Sequence, residues 1–207
     1  MSSRKKITIA FVAVVLVVAA VTAALVSVLA SGKHTVTSGF KVSYSADGVV
    51  AATVSAKYKK TANNITAAPT AFGSAEGSAI GTEKTFNRGD GERTESLNGS
   101  NPIEVNYGET ELSILFEFKF VNNSSSGFSA TLTMSAEKPS VLSASKNLQV
   151  RYYDVGSSSW KDFGDAGNSW TVAGNSTGTY AYLQVTVIDP ERSFSDVGFN
   201  FNWLLEA

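Results

Sequence analysis

The sequence predicts an all-β fold: an antiparallel β-sandwich, jelly-roll-like or immunoglobulin-like, preceded by one N-terminal apolar helix. Three observations lead to this prediction. Residues 7–30 are uncharged and almost wholly apolar. After Gly32, apolar and polar side chains alternate with the period of two that marks a half-buried strand. Residues 35–207 show little helical periodicity, so crossover helices are missing and the strands should pair antiparallel.

The N-terminal segment, residues 1–30, is long enough to cross a membrane. Residues 7–30 contain no charge, proline or glycine, and as a helix they would measure about 36 Å, against a hydrocarbon core of about 30 Å. Arg4, Lys5 and Lys6 precede them, so the positive-inside rule keeps this end in the cytoplasm. We therefore expect a single-pass protein of the cell membrane, held in lipid by residues 7–30, with its C-terminal domain outside.

A cleaved signal peptide is the alternative interpretation of the same segment. Val28, Leu29 and Ala30 resemble a signal-peptidase site, and cleavage near Ala30 would release a secreted domain. The apolar stretch is longer than the usual signal-peptide core of about 7–15 residues, which favours an anchor. A buried helix of a soluble domain would have a polar stripe, which this segment lacks.

Alternating side chains predict about eight strands in the exported domain, residues 31–207. The first two, residues 40–44 and 50–58, flank Asp47-Gly48, a common hairpin turn. The clearest strand is residues 110–121, which place five apolar side chains on one face. The turn-forming residues after it predict a second hairpin with the next strand. The remaining alternating segments are residues 103–107, 128–134, 148–152, 170–172, 181–187 and 197–205.

One stretch of the domain, at about residues 61–101, differs from the rest. It is poor in large apolar residues and rich in Gly, Ser, Thr and Asn. This composition predicts a long flexible insertion. A single short edge strand could lie around residues 82–86.

The charge of the chain argues against nucleic acid as a partner. Removing Arg4, Lys5 and Lys6 from the 17 basic residues leaves 14 against 18 acidic ones. Such a mildly acidic domain has no electrostatic reason to bind phosphates. We therefore expect no nucleic acid among its partners.

The titratable residues do not form a recognisable catalytic or metal-binding motif. The chain has no cysteine and one histidine, His34, close to the apolar segment, so a nucleophile with its base and a zinc site both lack their parts. Asp154, Asp162 and Asp165 lie close in sequence, but their spacing is not that of a calcium loop. We expect no catalytic residue, no metal and no cofactor.

Aromatic residues near loops are the remaining candidates for a binding site. Trp160, Phe163 and Trp170 lie in or beside a segment rich in Gly, Asp and Ser. If exposed, their flat rings could stack on sugars. Core packing is the commoner role of a tryptophan in a sandwich.

The order of these features resembles the camelysin-like proteins of Gram-positive bacteria, the type that build biofilm-matrix fibres (TasA-type). The resemblance implies a jelly-roll domain that assembles on or near the cell envelope. It rests on the basic and apolar leader, a phenylalanine-rich strand ending in Phe120-Val121-Asn122-Asn123-Ser124-Ser125, the return strand at residues 128–134, and the closing Phe199-Asn200-Phe201-Asn202-Trp203.

These observations favour a non-enzymatic structural or adhesive protein of the cell surface or extracellular matrix. Its partners would be membrane lipid and either further copies of itself or surface glycans. A carbohydrate-binding module that uses the loop aromatics Trp160, Phe163 and Trp170 is the alternative. An exported hydrolase has the least support, because convergent catalytic groups are missing.

Overall fold

The structure, a computed structural model, describes residues of one compact unit, His34–Ala207. The predicted N-terminal helix at residues 7–30, with Arg4, Lys5 and Lys6, lies outside the described residues. The described residues include no apolar helix that could span a membrane. The described residues are 34–44, 51–62, 64–98, 103–107, 112–124, 127–135, 148–163, 168–172, 177–188 and 197–206.

The described chain forms thirteen strands in two sheets, which confirms the all-β prediction. The strands are β1 (His34–Tyr44), β2 (Ala52–Thr61), β3 (Ser78–Ala79), β4 (Lys84–Phe86), β5 (Arg93–Ser96), β6 (Ile103–Tyr107), β7 (Ser113–Asn122), β8 (Phe128–Ser135), β9 (Leu148–Asp154), β10 (Ser159–Asp162), β11 (Asn168–Val172), β12 (Thr179–Val187) and β13 (Val197–Glu206). The front sheet has the order β11-β8-β13-β1-β5, with β6 also paired to β1. The back sheet has the order β10-β9-β12-β7-β2-β3, with β4 also paired to β2.

Strand pairing is antiparallel in both sheets with one exception. β1 and β13 run parallel, with Phe40 opposite Phe201, whereas the other described pairs are antiparallel. A parallel pair needs a long connection between its strands. Here the connection is nearly the whole domain, because β1 and β13 are its first and last strands.

The two sheets pack face to face around one hydrophobic core, as the β-sandwich prediction requires. The ring of Phe40 in β1 lies 5.0 Å from that of Phe116 in β7, centroid to centroid. The ring of Trp203 in β13 lies 5.2 Å from that of Phe118. Burial of such a side chain stabilises a fold by about 1.5–3 kcal/mol. The aromatic side chains buried in this core are Phe40, Tyr44, Phe86, Phe116, Phe118, Phe120, Phe128, Phe163, Phe201 and Trp203.

Both predicted hairpins are wrong, because the strands concerned lie in different sheets. β1 belongs to the front sheet and β2 to the back sheet, and β7 and β8 are divided in the same way. Asp47-Gly48 lies outside the described residues. Two consecutive strands with one apolar face each can bury those faces by pairing side by side or by facing each other across the core, and alternation does not distinguish the two. Among the described strands, β9 and β10 are joined as a hairpin, with Trp160 opposite Tyr153.

The stretch at about residues 61–101 contributes more regular structure than its composition suggested. β3 and β4 pair with β2 in the back sheet, and β5 pairs with β1 in the front sheet. The backbone turns tightly at Gly81, where φ is +60° and an added Cβ would lie 1.6 Å from the Leu97 carbonyl oxygen. Four apolar side chains of this stretch are buried, namely Phe72, Ile80, Phe86 and Leu97. The segment therefore links the two sheets.

Candidate functional site

Residues 64–77, which we call the strap, run across the outer face of the back sheet. The guanidinium of Arg151 on β9 donates from Nη2 to the Ile65 carbonyl oxygen at 3.2 Å. The indole Nε1 of Trp160 on β10 donates to the Ala67 carbonyl oxygen at 3.0 Å. Two strands of the sheet therefore bind the strap through its backbone. These two hydrogen bonds do not depend on which side chains Ile65 and Ala67 carry.

The far end of the strap is fixed by a buried carboxylate. The Phe72 backbone N–H donates to Glu117 Oε2 at 2.6 Å, and Glu117 is only 5% exposed. Lys59 Nζ lies 4.4 Å from the centroid of the Phe72 ring. Burial, together with the negative charge of Glu117, raises the pKa of the neighbouring Tyr182 hydroxyl. This hydroxyl therefore stays protonated and can donate to the carboxylate.

A second, smaller hydrophobic cluster lies beneath the strap and explains why β7 is buried on both faces. The sequence pattern of β7 predicted one apolar face and one largely polar face, yet Leu115 and Glu117 on the second face are also buried. The strap supplies the cover. The buried members of the cluster are Phe72, Leu115, Tyr153 and Tyr182, with Ile65, Trp160 and Tyr180 packed against them.

Arg151 and Gln184 form the polar centre of this face. Arg151 Nη2 donates to Gln184 Oε1 at 2.6 Å, and its guanidinium lies 5.4 Å from the Trp160 ring centroid. Burial lowers the pKa of Arg151, and the charge of Asp162 partly opposes that effect. Arg151 Nε and Gln184 Nε2 are buried and have no hydrogen-bond partner within the described ranges. The group binds the strap and shows no reactive pairing of acid and base.

The structure does not bring the three predicted aromatic site residues together. Trp160 is half-buried against Tyr153, with ring centroids 5.4 Å apart. Phe163 is buried in the main core, where its ring meets that of Phe201 edge-on at 6.3 Å. Trp170 lies on β11 in the other sheet, with its backbone paired to Ala130. Residues three apart in an extended chain point to opposite faces, which separates Trp160 from Phe163.

The acidic residues near the β9–β10 hairpin act as turn and ion-pair partners. The Asp154 carboxylate accepts from Lys161 Nζ and from the Gly156 N–H at 2.9 Å. The hydrogen bond from Lys161 is the main reason that the pKa of Asp154 falls to about 2. Asp162 accepts from Gln149 Nε2 at 2.7 Å, and Asp165 lies outside the described residues. The described residues contain no group of three or more side chains suited to a metal ion.

A row of polar side chains on the outer face of the front sheet was not predicted from the sequence. Ser43 Oγ donates to Asn202 Oδ1 at 3.1 Å and lies 2.9 Å from Thr94 Oγ1. Thr133 Oγ1 donates to the Asn202 backbone oxygen at 3.3 Å. The signal was present in the alternation, since each of these residues neighbours a buried one along its strand. Only strand order shows that the four meet in a row.

Comparison with known proteins identified no relative of this chain. No family model matches the chain, and no curated protein matches it.

Proposed function

We propose that the chain is a non-enzymatic structural or adhesive protein of the cell surface or extracellular matrix. The observation that carries this proposal is that polar side chains of the domain bind other parts of the domain. Arg151, Glu117 and Trp160 bind the backbone of the strap, and Asp154 is tied to Lys161. In the part of the chain that the structure describes, these polar groups are engaged in holding the fold.

The proposed location follows from the N-terminal segment. Residues 7–30 would anchor the chain in the membrane as a helix, with Arg4, Lys5 and Lys6 on the cytoplasmic side. Cleavage near Ala30 would instead release the domain. Either way the domain would work outside the cell without a disulfide. Its aromatic core, which contacts both sheets, supports stability by packing alone.

We assign the sandwich a jelly-roll-like rather than an immunoglobulin-like path. The main strands alternate between sheets: β1, β6, β8, β11 and β13 are in the front sheet, and β2, β7, β9 and β12 in the back sheet. Immunoglobulin domains instead keep several consecutive strands within one sheet. This alternation is also in keeping with the proposed camelysin-like resemblance, which implies a jelly roll.

Cell fractionation and surface proteolysis test the proposal. We expect the full-length chain, tagged at its C-terminus, to sediment with the envelope and to be digested by protease added to intact cells. Exchange of Arg4, Lys5 and Lys6 for glutamate should reduce the fraction of the chain that the added protease digests, because the charge bias that orients the helix is lost. The mass of the recovered chain separates the two forms, since cleavage near Ala30 removes the anchor.

Two results would overturn the proposal. One is recovery of the intact chain as a soluble protein of the cytosol. The other is hydrolysis of a peptide or glycan panel by the purified full-length chain, at a rate that survives further purification. Loss of adhesion or of envelope-associated fibres on deletion of the gene would support it.

A further inference from the structure

Two buried nitrogen atoms on the strap-covered face have no hydrogen-bond partner in the described part of the chain. They are Nε of Arg151 on β9 and Nε2 of Gln184 on β12. The two residues lie directly opposite each other on paired strands, and the Gln184 side chain is fully buried. Because burial removes a donor from water, an unpaired donor destabilises a fold, and buried donors are normally given an acceptor.

The contacts of Arg151 fix the direction in which these donors point. The two protons of its Nη2 are used by the Ile65 carbonyl oxygen at 3.2 Å and by Gln184 Oε1 at 2.6 Å. The guanidinium also packs against Trp160, 5.4 Å from the ring centroid. The bond to Oε1 orients the Gln184 amide, so its Nε2 protons are held in place beside the guanidinium. The donors are therefore arranged in advance by groups that also bind the strap.

The positive charge of Arg151 is not matched by a carboxylate in direct contact. Arg151 belongs to none of the ion pairs found among the described residues. The carboxylate of Asp162 is exposed and accepts from Gln149, so water screens its charge. The buried carboxylate of Glu117 accepts from the Phe72 N–H instead. A negative charge beside the guanidinium would therefore be favourable.

The hydrogen-bonding capacity of this group favours an anion over a water molecule. A guanidinium accepts no hydrogen bond, and Gln184 Oε1 is already used by Arg151. The strap carbonyl bonded here, that of Ile65, also accepts from Arg151. A water molecule would bring two protons that need acceptors, whereas a monovalent anion only accepts. The group therefore offers what an anion requires.

We propose that a small monovalent anion, of the size and charge of chloride, binds beneath the strap between Arg151 Nε and Gln184 Nε2. Both nitrogens donate to the anion, and its charge offsets that of the guanidinium. Because Arg151 also bonds the Ile65 carbonyl oxygen, the anion strengthens the attachment of the strap to β9. The site involves only the back sheet and the strap, so it does not depend on the proposed surface role.

Thermal unfolding of the full-length chain in a mild, chloride-free detergent tests the proposal. Sodium chloride is titrated against sodium gluconate at constant ionic strength, because gluconate is too bulky for a site beneath the strap. A ligand that binds only the folded chain stabilises it with the logarithm of its concentration above the dissociation constant. We expect the unfolding midpoint to rise by about 3–5 °C for each tenfold increase in chloride above that constant.

Gln184→Glu separates this site from a general effect of salt. Glutamate keeps an oxygen for Arg151, replaces the amide donor with a second oxygen and supplies the negative charge itself. We expect this variant to unfold at the same temperature in chloride and in gluconate. The matched control is Thr85→Glu, which adds the same charge at an exposed position of β4, four strands from β9 in the back sheet. This control should keep the full response to chloride.

Crystals of the parent chain grown in bromide locate the ion directly, and they decide the question even where Gln184→Glu fails to fold. We expect an anomalous bromine peak within hydrogen-bond distance of Arg151 Nε and Gln184 Nε2. Density there without an anomalous signal assigns the position to water and overturns the proposal. Equal midpoints of the parent chain in chloride and gluconate overturn it as well. So does a chloride response that Gln184→Glu retains, or that Thr85→Glu also loses.

Discussion

Truncation of Phe40 tests the claim that packing between the two sheets holds this cysteine-free domain together. Phe40 is fully buried and its ring lies 5.0 Å from that of Phe116, 5.4 Å from that of Phe118 and 5.3 Å from that of Phe201. Phe40→Ala removes the buried ring and leaves a cavity, which costs about 3–5 kcal/mol. Each aromatic pair adds about 0.5–1.5 kcal/mol, so we expect the upper end of that range.

Chemical denaturation of the full-length chain at 25 °C measures this loss. A domain stabilised by about 5–15 kcal/mol would lose a third or more of its stability, and the midpoint should fall with little change in the slope. Lys41→Ala, the next residue along β1, is exposed on the opposite face and should change stability by less than about 0.5 kcal/mol. A loss below about 1 kcal/mol for Phe40→Ala would refute the view that this ring joins the sheets.

Three further predictions concern the turns and the strap. Trp160→Ala removes the hydrogen bond to the Ala67 carbonyl oxygen. We expect amide hydrogen exchange to become faster across the strap, while the free energy of unfolding falls by only about 1–2 kcal/mol. Exchange that accelerates uniformly over the domain would contradict a local role. Gly81→Ala should destabilise the domain by more than about 2 kcal/mol, because the added Cβ would lie 1.6 Å from the Leu97 carbonyl oxygen. Gly89 also has a positive φ, but a Cβ added there would meet no atom within 4 Å. Gly89→Ala should therefore cost only the backbone strain of about 1–2 kcal/mol. The pKa of Asp154 is lowered to about 2 from 3.8, so its contribution to stability is fully present above pH 3.8 and is lost as the pH falls through the folded pKa. The stability difference between the parent chain and Asp154→Asn, measured by denaturation at several pH values, should therefore shrink as the pH falls from 3.8 through 2. A difference that is unchanged over that range would exclude the carboxylate as its source.

Several features of the fold could be derived from the sequence because they depend on local periodicity. The strand at β7 was recognisable, since Ile114, Phe116, Phe118 and Phe120 repeat every second residue and all face the core. The closing strand, β13, follows the same rule with Phe201, Trp203 and Leu205. A face that must leave water imposes this pattern on any strand, whatever its neighbours.

Strand partners could not be derived in the same way. Phe40 on β1 and Val54 on β2 both belong to the core. A hairpin would bury these two side chains to the same extent as the observed arrangement, in which the strands face each other across two sheets. The strap shows a second limit. Its composition is poor in large apolar residues, yet Phe72 is buried in the small cluster beneath it and Ile65 packs against that cluster. The strap's backbone also accepts hydrogen bonds from Arg151 and Trp160 and donates one to Glu117, and no side-chain pattern records such contacts.

The candidate sites divide along the same line. Trp160, Phe163 and Trp170 are neighbours in sequence, but strand alternation and sheet membership separate them. Thr94 and Thr133 are distant in sequence, and strand order makes them ends of one row.

The uncharged apolar segment and the strands with one buried face are evident in the amino-acid sequence, because each is set by residues within a few positions of one another. The pairing of the strands, the cover of the back sheet and the meeting of polar side chains on the front sheet are apparent only in the folded domain. Those outcomes depend on contacts between distant segments, where several arrangements bury the same apolar faces and differ only in how closely the whole domain can pack.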